Sequence, residues 1–165
     1  MPLTKVQAEG VNLADTFAFT GTVTKSTQPA FMARSNAGNN GDTWEAGQNI
    51  LFQTIATNVG GHYSASNGRF TAPIAGFYHF NFTSFAYNGG LIPSTSTATA
   101  MLSLNGTNLI ALVYSRIDAT NYASSSGSAS LYLSANDYVN IKSQSQGFYA
   151  DSSNLYCHFS GFLVG

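Results

Sequence analysis

The residues from Phe52 to Phe82, FQTIATNVGGHYSASNGRFTAPIAGFYHFNF, decide the fold. At the end of this stretch, Gly76-Phe77-Tyr78-His79-Phe80-Asn81-Phe82 places Tyr78, Phe80 and Phe82 on one side of an extended chain. Phe77, His79 and Asn81 fall on the other side, because successive strand side chains alternate in direction. The first set reads as core. Gly76 follows Pro73 and opens the run, which suits a bend at a sheet corner where a side chain would collide.

The same reading extends in both directions. Short runs rich in aromatic and β-branched residues alternate with Gly, Asn and Ser clusters, the spacing of a sandwich or barrel, and no stretch carries a helical period. The predicted strands are Ala30–Arg34, Ile50–Thr57, Gly61–Ser64, Arg69–Ala72, Gly76–Ala86, Ala98–Leu104, Leu109–Ile117, Ser128–Leu133, Asp137–Ser143 and Leu155–Val164. Asn105-Gly106 lies between two of them and predicts a type I′ hairpin, because that turn needs positive φ at both central residues. The polar stretches Ser35–Asp42, Asn88–Thr97 and Thr120–Ser128 read as surface loops.

Within the opening stretch, Phe52, Asn58, Tyr63, Phe70, Gly76, Tyr78, Phe80 and Phe82 stand at a spacing that resembles the complement C1q globular-head (C1q/TNF-like) family. The family's pattern runs aromatic, Asn or Asp, aromatic or Leu, Phe, and a Gly-x-Tyr-x-Phe-x-aromatic strand. Leu131-x-Leu133-x-x-Asn136-Asp137-x-Val139 and the closing Phe159-Ser160-Gly161-Phe162-Leu163 are similar to the same family. The resemblance spans residues 29–165. One departure is Asn136, where the family has Gly; Asn tolerates left-handed backbone, so the turn survives. The resemblance implies an all-β, ten-stranded antiparallel jelly-roll sandwich over residues 26–165, with Phe52, Tyr63, Phe70, Gly76, Tyr78, Phe80 and Phe82 as its core signature.

Residues 1–25 read differently. Val6, Val11, Leu13, Phe17 and Phe19 are separated by small and polar residues, which predicts an extended N-terminal arm that anchors the domain to a larger assembly. A capped helix from Asn12 competes with this reading. Extended, such an arm reaches up to about 80 Å.

Composition narrows the function. Only 8% of the residues are charged and the net charge is −1, so nothing speaks for binding nucleic acid or an anionic membrane surface. No apolar run approaches the length of a membrane-spanning helix. With one cysteine, Cys157, no intrachain disulfide can form; its alternation with Leu155, Phe159 and Leu163 makes it a small buried hydrophobe.

Several strands carry large residues on both faces. Ile110, Leu112 and Tyr114 oppose Leu109, Ala111 and Val113, and Tyr132 and Tyr138 oppose Leu131 and Val139. A lone sandwich has one dry face per sheet, so the second face predicts subunit contact. The resemblance sharpens this to a homotrimer with aromatic contacts, and the candidate interface is Phe77, Ile110, Leu112, Tyr114, Tyr132, Tyr138, Tyr156 and Phe162.

No catalytic or metal chemistry is expected, and no cofactor. His62, His79 and His158 lack metal-ligand spacing. Asp42, Asp118, Asp137 and Asp151 form no calcium-loop run, although the resemblance allows a loop-built calcium site. No Gly-x-Ser-x-Gly elbow is present. Asn81-Phe82-Thr83 and Asn105-Gly106-Thr107 fit the glycosylation sequon and read as chance for a chain that opens on Met1 without a secretion signal.

The opening from Leu3-Thr4-Lys5-Val6 to Thr20-Gly21-Thr22-Val23-Thr24 resembles the beginnings of tailed-phage virion proteins. Together with the single cysteine, it leads to the expectation of a non-enzymatic trimer on a virion surface, assembled in bacterial host cytoplasm. There it would be a capsid decoration or cement protein whose arms clamp the major capsid protein. One alternative is a tail-fibre or receptor-binding tip, with a tail component as partner and a host surface glycan as ligand. Another is a secreted C1q-like recognition module of lectin type.

Overall fold

The computed structural model describes residues 27–35, 42–44, 46–87, 95–118, 122–145, 148–150 and 156–164. The predicted arm, 1–25, with Val6, Val11, Leu13, Phe17 and Phe19, lies outside the described residues. The strands are β1 (Ala30–Arg34), β2 (Asp42–Trp44), β3 (Thr54–Val59), β4 (Tyr63–Ser64), β5 (Arg69–Thr71) and β6 (Gly76–Tyr87). They continue with β7 (Thr95–Leu104), β8 (Thr107–Asp118), β9 (Tyr122–Leu133), β10 (Tyr138–Ser143), β11 (Phe148–Ala150) and β12 (His158–Leu163). Each predicted strand has a counterpart here, and β2 and β11 are added.

All pairings are antiparallel. The first sheet runs β9-β6-β12-β1-β3, and the paired β11 and β2 continue the β12 side of β6 near its end, where Phe148 faces Ala86. The second sheet runs β4-β5-β10-β7-β8. Two sheets with these crossovers make the jelly roll.

Alternation explains the core. Tyr78, Phe80 and Phe82 of β6, Phe159 of β12 and Phe31 of β1 point inward and are buried. From the second sheet, Phe70, Leu102, Val113, Val139 and Ile141 meet them. Phe31 is central: it stacks on Tyr63 at 4.7 Å and on Phe70 at 5.0 Å, and meets Phe159 edge-on at 4.9 Å. Each such aromatic pair adds about 0.5–1.5 kcal/mol beyond area burial. Tyr63 satisfies its hydroxyl by donating to the Phe52 carbonyl at 3.1 Å, and burial pushes its phenol pKa far up.

The hairpin at Asn105-Gly106 has φ values of 49° and 87°, the positive pair that a type I′ turn requires. Asn136, at φ 73°, holds the left-handed turn between β9 and β10. Asp137 ties the two turns together: its carboxylate accepts from the Ser134 amide and from Asn105 Nδ2, both at 2.8 Å. The Asn105 bond, and after it the Ser134 bond, holds the carboxyl below the usual carboxylate range.

The main correction concerns Thr120–Ser128, predicted as a loop. From Tyr122 onward this segment is β9, paired in register with β6 along its whole length, from Tyr122 opposite Tyr87 to Leu133 opposite Gly76. Its small residues serve a close approach instead. A Cβ on Gly127 would lie 1.9 Å from the Leu112 carbonyl oxygen, and the Ser115 and Ser125 hydroxyls bond each other where the edge of one sheet meets the edge of the other. Likewise β7 starts at Thr95, inside the predicted loop Asn88–Thr97. β3 starts at Thr54, while Ile50 and Phe52 are buried ahead of it, Ile50 donating its amide to the Ile141 carbonyl at 2.8 Å.

Candidate association face

The outward side chains of β9, β6 and β12 build a surface of aromatic pairs. Phe77 and Tyr132 are register partners across β6 and β9, and their rings meet edge-on at 5.5 Å. One rung on, His79 lies between Ser130 of β9 and Phe162 of β12. Its Nδ1 is 2.9 Å from the Ser130 hydroxyl, and its ring is 5.5 Å from that of Phe162. Val164 extends the patch, its amide donating to the Phe77 carbonyl at 2.7 Å, and Met32 of β1 adds a further exposed apolar side chain.

Phe77, Tyr132 and Phe162 are 56%, 56% and 47% exposed. Covering half of one such side chain removes about 100 Å² from water, worth about 2.5 kcal/mol at about 25 cal/mol/Å². No Lys, Arg, Asp or Glu stands on these rungs of β9, β6 and β12 or on the next outward one: the neighbours are Ser130 beside His79, then Ser128, Asn81 and Ser160. A face of this kind is suited to protein contact, because its aromatic rings lose water without stranding a charge.

The structure does not bring all eight candidate interface residues together. Phe77, Tyr132 and Phe162 share the outer face of the first sheet. Ile110 and Tyr114 are exposed on β8, which ends the second sheet, and Leu112 there is half-buried and packs against the core. Tyr156 is exposed and stacks on Phe85 at 4.4 Å. Tyr138 belongs to β10 in the second sheet, where the Arg69 guanidinium lies 4.2 Å over its ring. His79, Val164 and Met32 were not among the candidates. The alternation that set Phe77 outward also sets His79 outward, and was the signal that could have found it.

Among the described residues no group of three or more His, Cys, Asp or Glu side chains could hold a metal ion. No helix there is long and apolar enough to cross a membrane. Cys157 is buried, and that burial pushes its thiol up to about 12, while its Sγ accepts the Phe85 amide at 3.1 Å. A thiol in this state packs as a hydrophobe and carries no information about the compartment's redox poise.

Comparison with known proteins places these features. Residues 30–164 match the C1q domain family. The chain is 26% identical over 119 residues to rat complement C1q tumor necrosis factor-related protein 6, and 28% identical over 115 residues to the mouse and human complement C1q tumor necrosis factor-related protein 3. Each alignment covers 70% of this chain and 42% to 44% of the relative, so the chain spans less than half the length of those proteins. The globular domain of zebrafish complement 1qA has the same fold, with a TM-score of 0.59 at 20% identity over 84% of this chain and 98% of the other. Murine APRIL has it too, with a TM-score of 0.62 at 12% identity over 83% of this chain and 99% of the other.

The expected virion-surface location, with assembly in a bacterial cytoplasm, is overturned by these relatives, which point to an extracellular setting. The single cysteine that seemed to favour the cytosol is a packing residue, and the opening segment carries no defined motif. C1q domain proteins are in general non-enzymatic recognition and structural modules. With the β9-β6-β12-β1-β3 and β4-β5-β10-β7-β8 sheets, the aromatic core and the match over residues 30–164 all in agreement, this chain belongs to the C1q domain family.

Proposed function

We propose that this chain is an extracellular recognition module that works as a homotrimer, its copies packing through the outer face of the first sheet. The observation that carries the reading is the exposed aromatic set Phe77, Tyr132 and Phe162 on one face, in a chain with only 8% charged residues to guard it. C1q domains form homotrimers, which supports self-association here. The extracellular setting rests on the relatives, and recognition on the general role of the family.

The three copies need not meet like to like. A threefold ring requires a heterologous contact, in which one patch of each subunit meets a different patch of the next. The exposed apolar side chains of β8, Ile110 and Tyr114, supply a second patch on a strand away from Phe77 and Phe162.

Mass photometry or light scattering at low micromolar concentration tests the assembly. The expected species has three times the 17.4 kDa of one chain. A single 17.4 kDa species under these conditions would remove the trimer from the proposal.

A further inference from the structure

We infer that Asn105 is an acceptor for N-linked carbohydrate and that Asn81, which opens the chain's other such sequence among the described residues, is not. This rests on the extracellular reading, because only a chain that enters the secretory route meets the transferase. Both Asn105-Gly106-Thr107 and Asn81-Phe82-Thr83 satisfy the Asn-x-Thr requirement. The fold separates them.

Asn105, Gly106 and Thr107 are all exposed at the tip of the β7–β8 hairpin. A bulky, hydrated substituent fits there without displacing protein. Asn81 stands in the middle of β6, half-buried, with Ser128 of β9 opposite on one side and Ser160 of β12 on the other. A carbohydrate at Asn81 would lie across the face that carries Phe77 and Phe162.

The chemistry at Asn105 is compatible with its existing contacts. In the transfer, Nδ2 forms a bond to the anomeric carbon of a lipid-diphosphate-linked oligosaccharide. The bond from that carbon to the diphosphate oxygen breaks, its electron pair leaves with the lipid diphosphate, and Nδ2 loses one proton. The secondary amide that results keeps one N–H and its carbonyl oxygen. In the unmodified side chain, Nδ2 donates to Asp137 Oδ1 at 2.8 Å and Oδ1 accepts the Tyr138 amide at 2.9 Å. The carbonyl oxygen that accepts the Tyr138 amide takes no part in the transfer, so that tie across the turn survives the modification.

The test routes the full chain, fused to a secretion leader, through a eukaryotic cell and scores all of it, retained and released. Peptide-N-glycosidase in heavy-oxygen water should produce a mass shift and convert Asn105 to labelled Asp. Thr107→Ala, which leaves the Asn105 side chain and its bonds in place, should abolish that shift; Thr107→Ser should retain it, and Asn81→Gln should leave it unchanged. Unmodified Asn105 in the wild-type chain, or label at Asn81, overturns the inference. Fractionation of the protein's natural source reports separately on the extracellular reading. A chain labelled at Asn105 in the leader experiment but found inside the cells that make it would defeat that reading and uphold the acceptor assignment.

Discussion

Phe77 and Tyr78 are neighbours in one strand and end in opposite settings: Tyr78 is fully buried, and Phe77 is 56% exposed. The contrast is sharpest at the Gly76 end of the β9-β6-β12 surface. Its inner face presents Tyr78, Phe80, Phe82 and Phe159 to a second sheet, and its outer face presents Phe77, Tyr132 and Phe162 to nothing within the described residues of the chain. At the Phe77 end of the strand the side-chain chemistry is similar on the two faces. What differs is whether another layer of the subunit lies above them, so hydrophobicity alone does not reveal which face closes within the subunit and which is left exposed.

The largest expected effect follows directly. Phe80→Ala removes the ring that meets Phe70, Tyr78 and Phe159, and should cost about 3–5 kcal/mol in denaturant unfolding, whereas Phe77→Ala should cost the isolated subunit under about 1 kcal/mol. Equal costs would break the distinction between the faces.

Next comes the seam where the two sheet edges meet. Gly127→Ala drives a Cβ into the Leu112 carbonyl, backbone against backbone, and should destabilise by about 3 kcal/mol, the upper end of ordinary overpacking. Amide exchange should rise first in β8 and β9. Unchanged protection there would mean that the seam yields easily.

The outer face is then probed by Phe77→Ser with Phe162→Ser. The expected result is a subunit with near wild-type unfolding and a trimer weakened by about 2 kcal/mol or more, read as a more than tenfold rise in dissociation constant. Loss of folding together with assembly would show that these rings belong to the subunit core after all.

The smallest effect is electrostatic and marks where the outer face stops being open. His158 also points outward from β12, but burial lowers its pKa from the ordinary 6.5. Below pH 6.5 the unfolded chain binds a proton that the folded chain resists, so stability is full above that pH and falls as acid takes the protein toward the depressed folded value. His158→Gln should flatten this part of the stability-pH curve in thermal melts, and an unchanged curve would assign the dependence to other groups.

The core was legible because its signal is local. Alternation over Tyr78, Phe80 and Phe82 and the paired positive-φ turn at Asn105-Gly106 need no knowledge of distant residues. β9 was not legible ahead of Ser128, since Ser and Gly there look like a loop in sequence; only the approach of Leu112 gives their smallness a structural reason. β2 and β11 are three residues each and exist through their pairing with one another across about a hundred positions of sequence. The exposed aromatics were legible in part. Phe77, Tyr132 and Phe162 were recognised as excess apolar residues, but nothing local could tell that Tyr138, with the same pattern, lies on the other sheet beneath Arg69.

The sequence by itself determined an all-β chain with an aromatic core, its principal hairpin, and more apolar surface than one sandwich can hide. These follow from side-chain direction and backbone preference, which act within a few residues. The tertiary structure alone decided which exposed aromatics share a face and where the edges of the two sheets touch, because each of these depends on pairings between strands far apart in the chain.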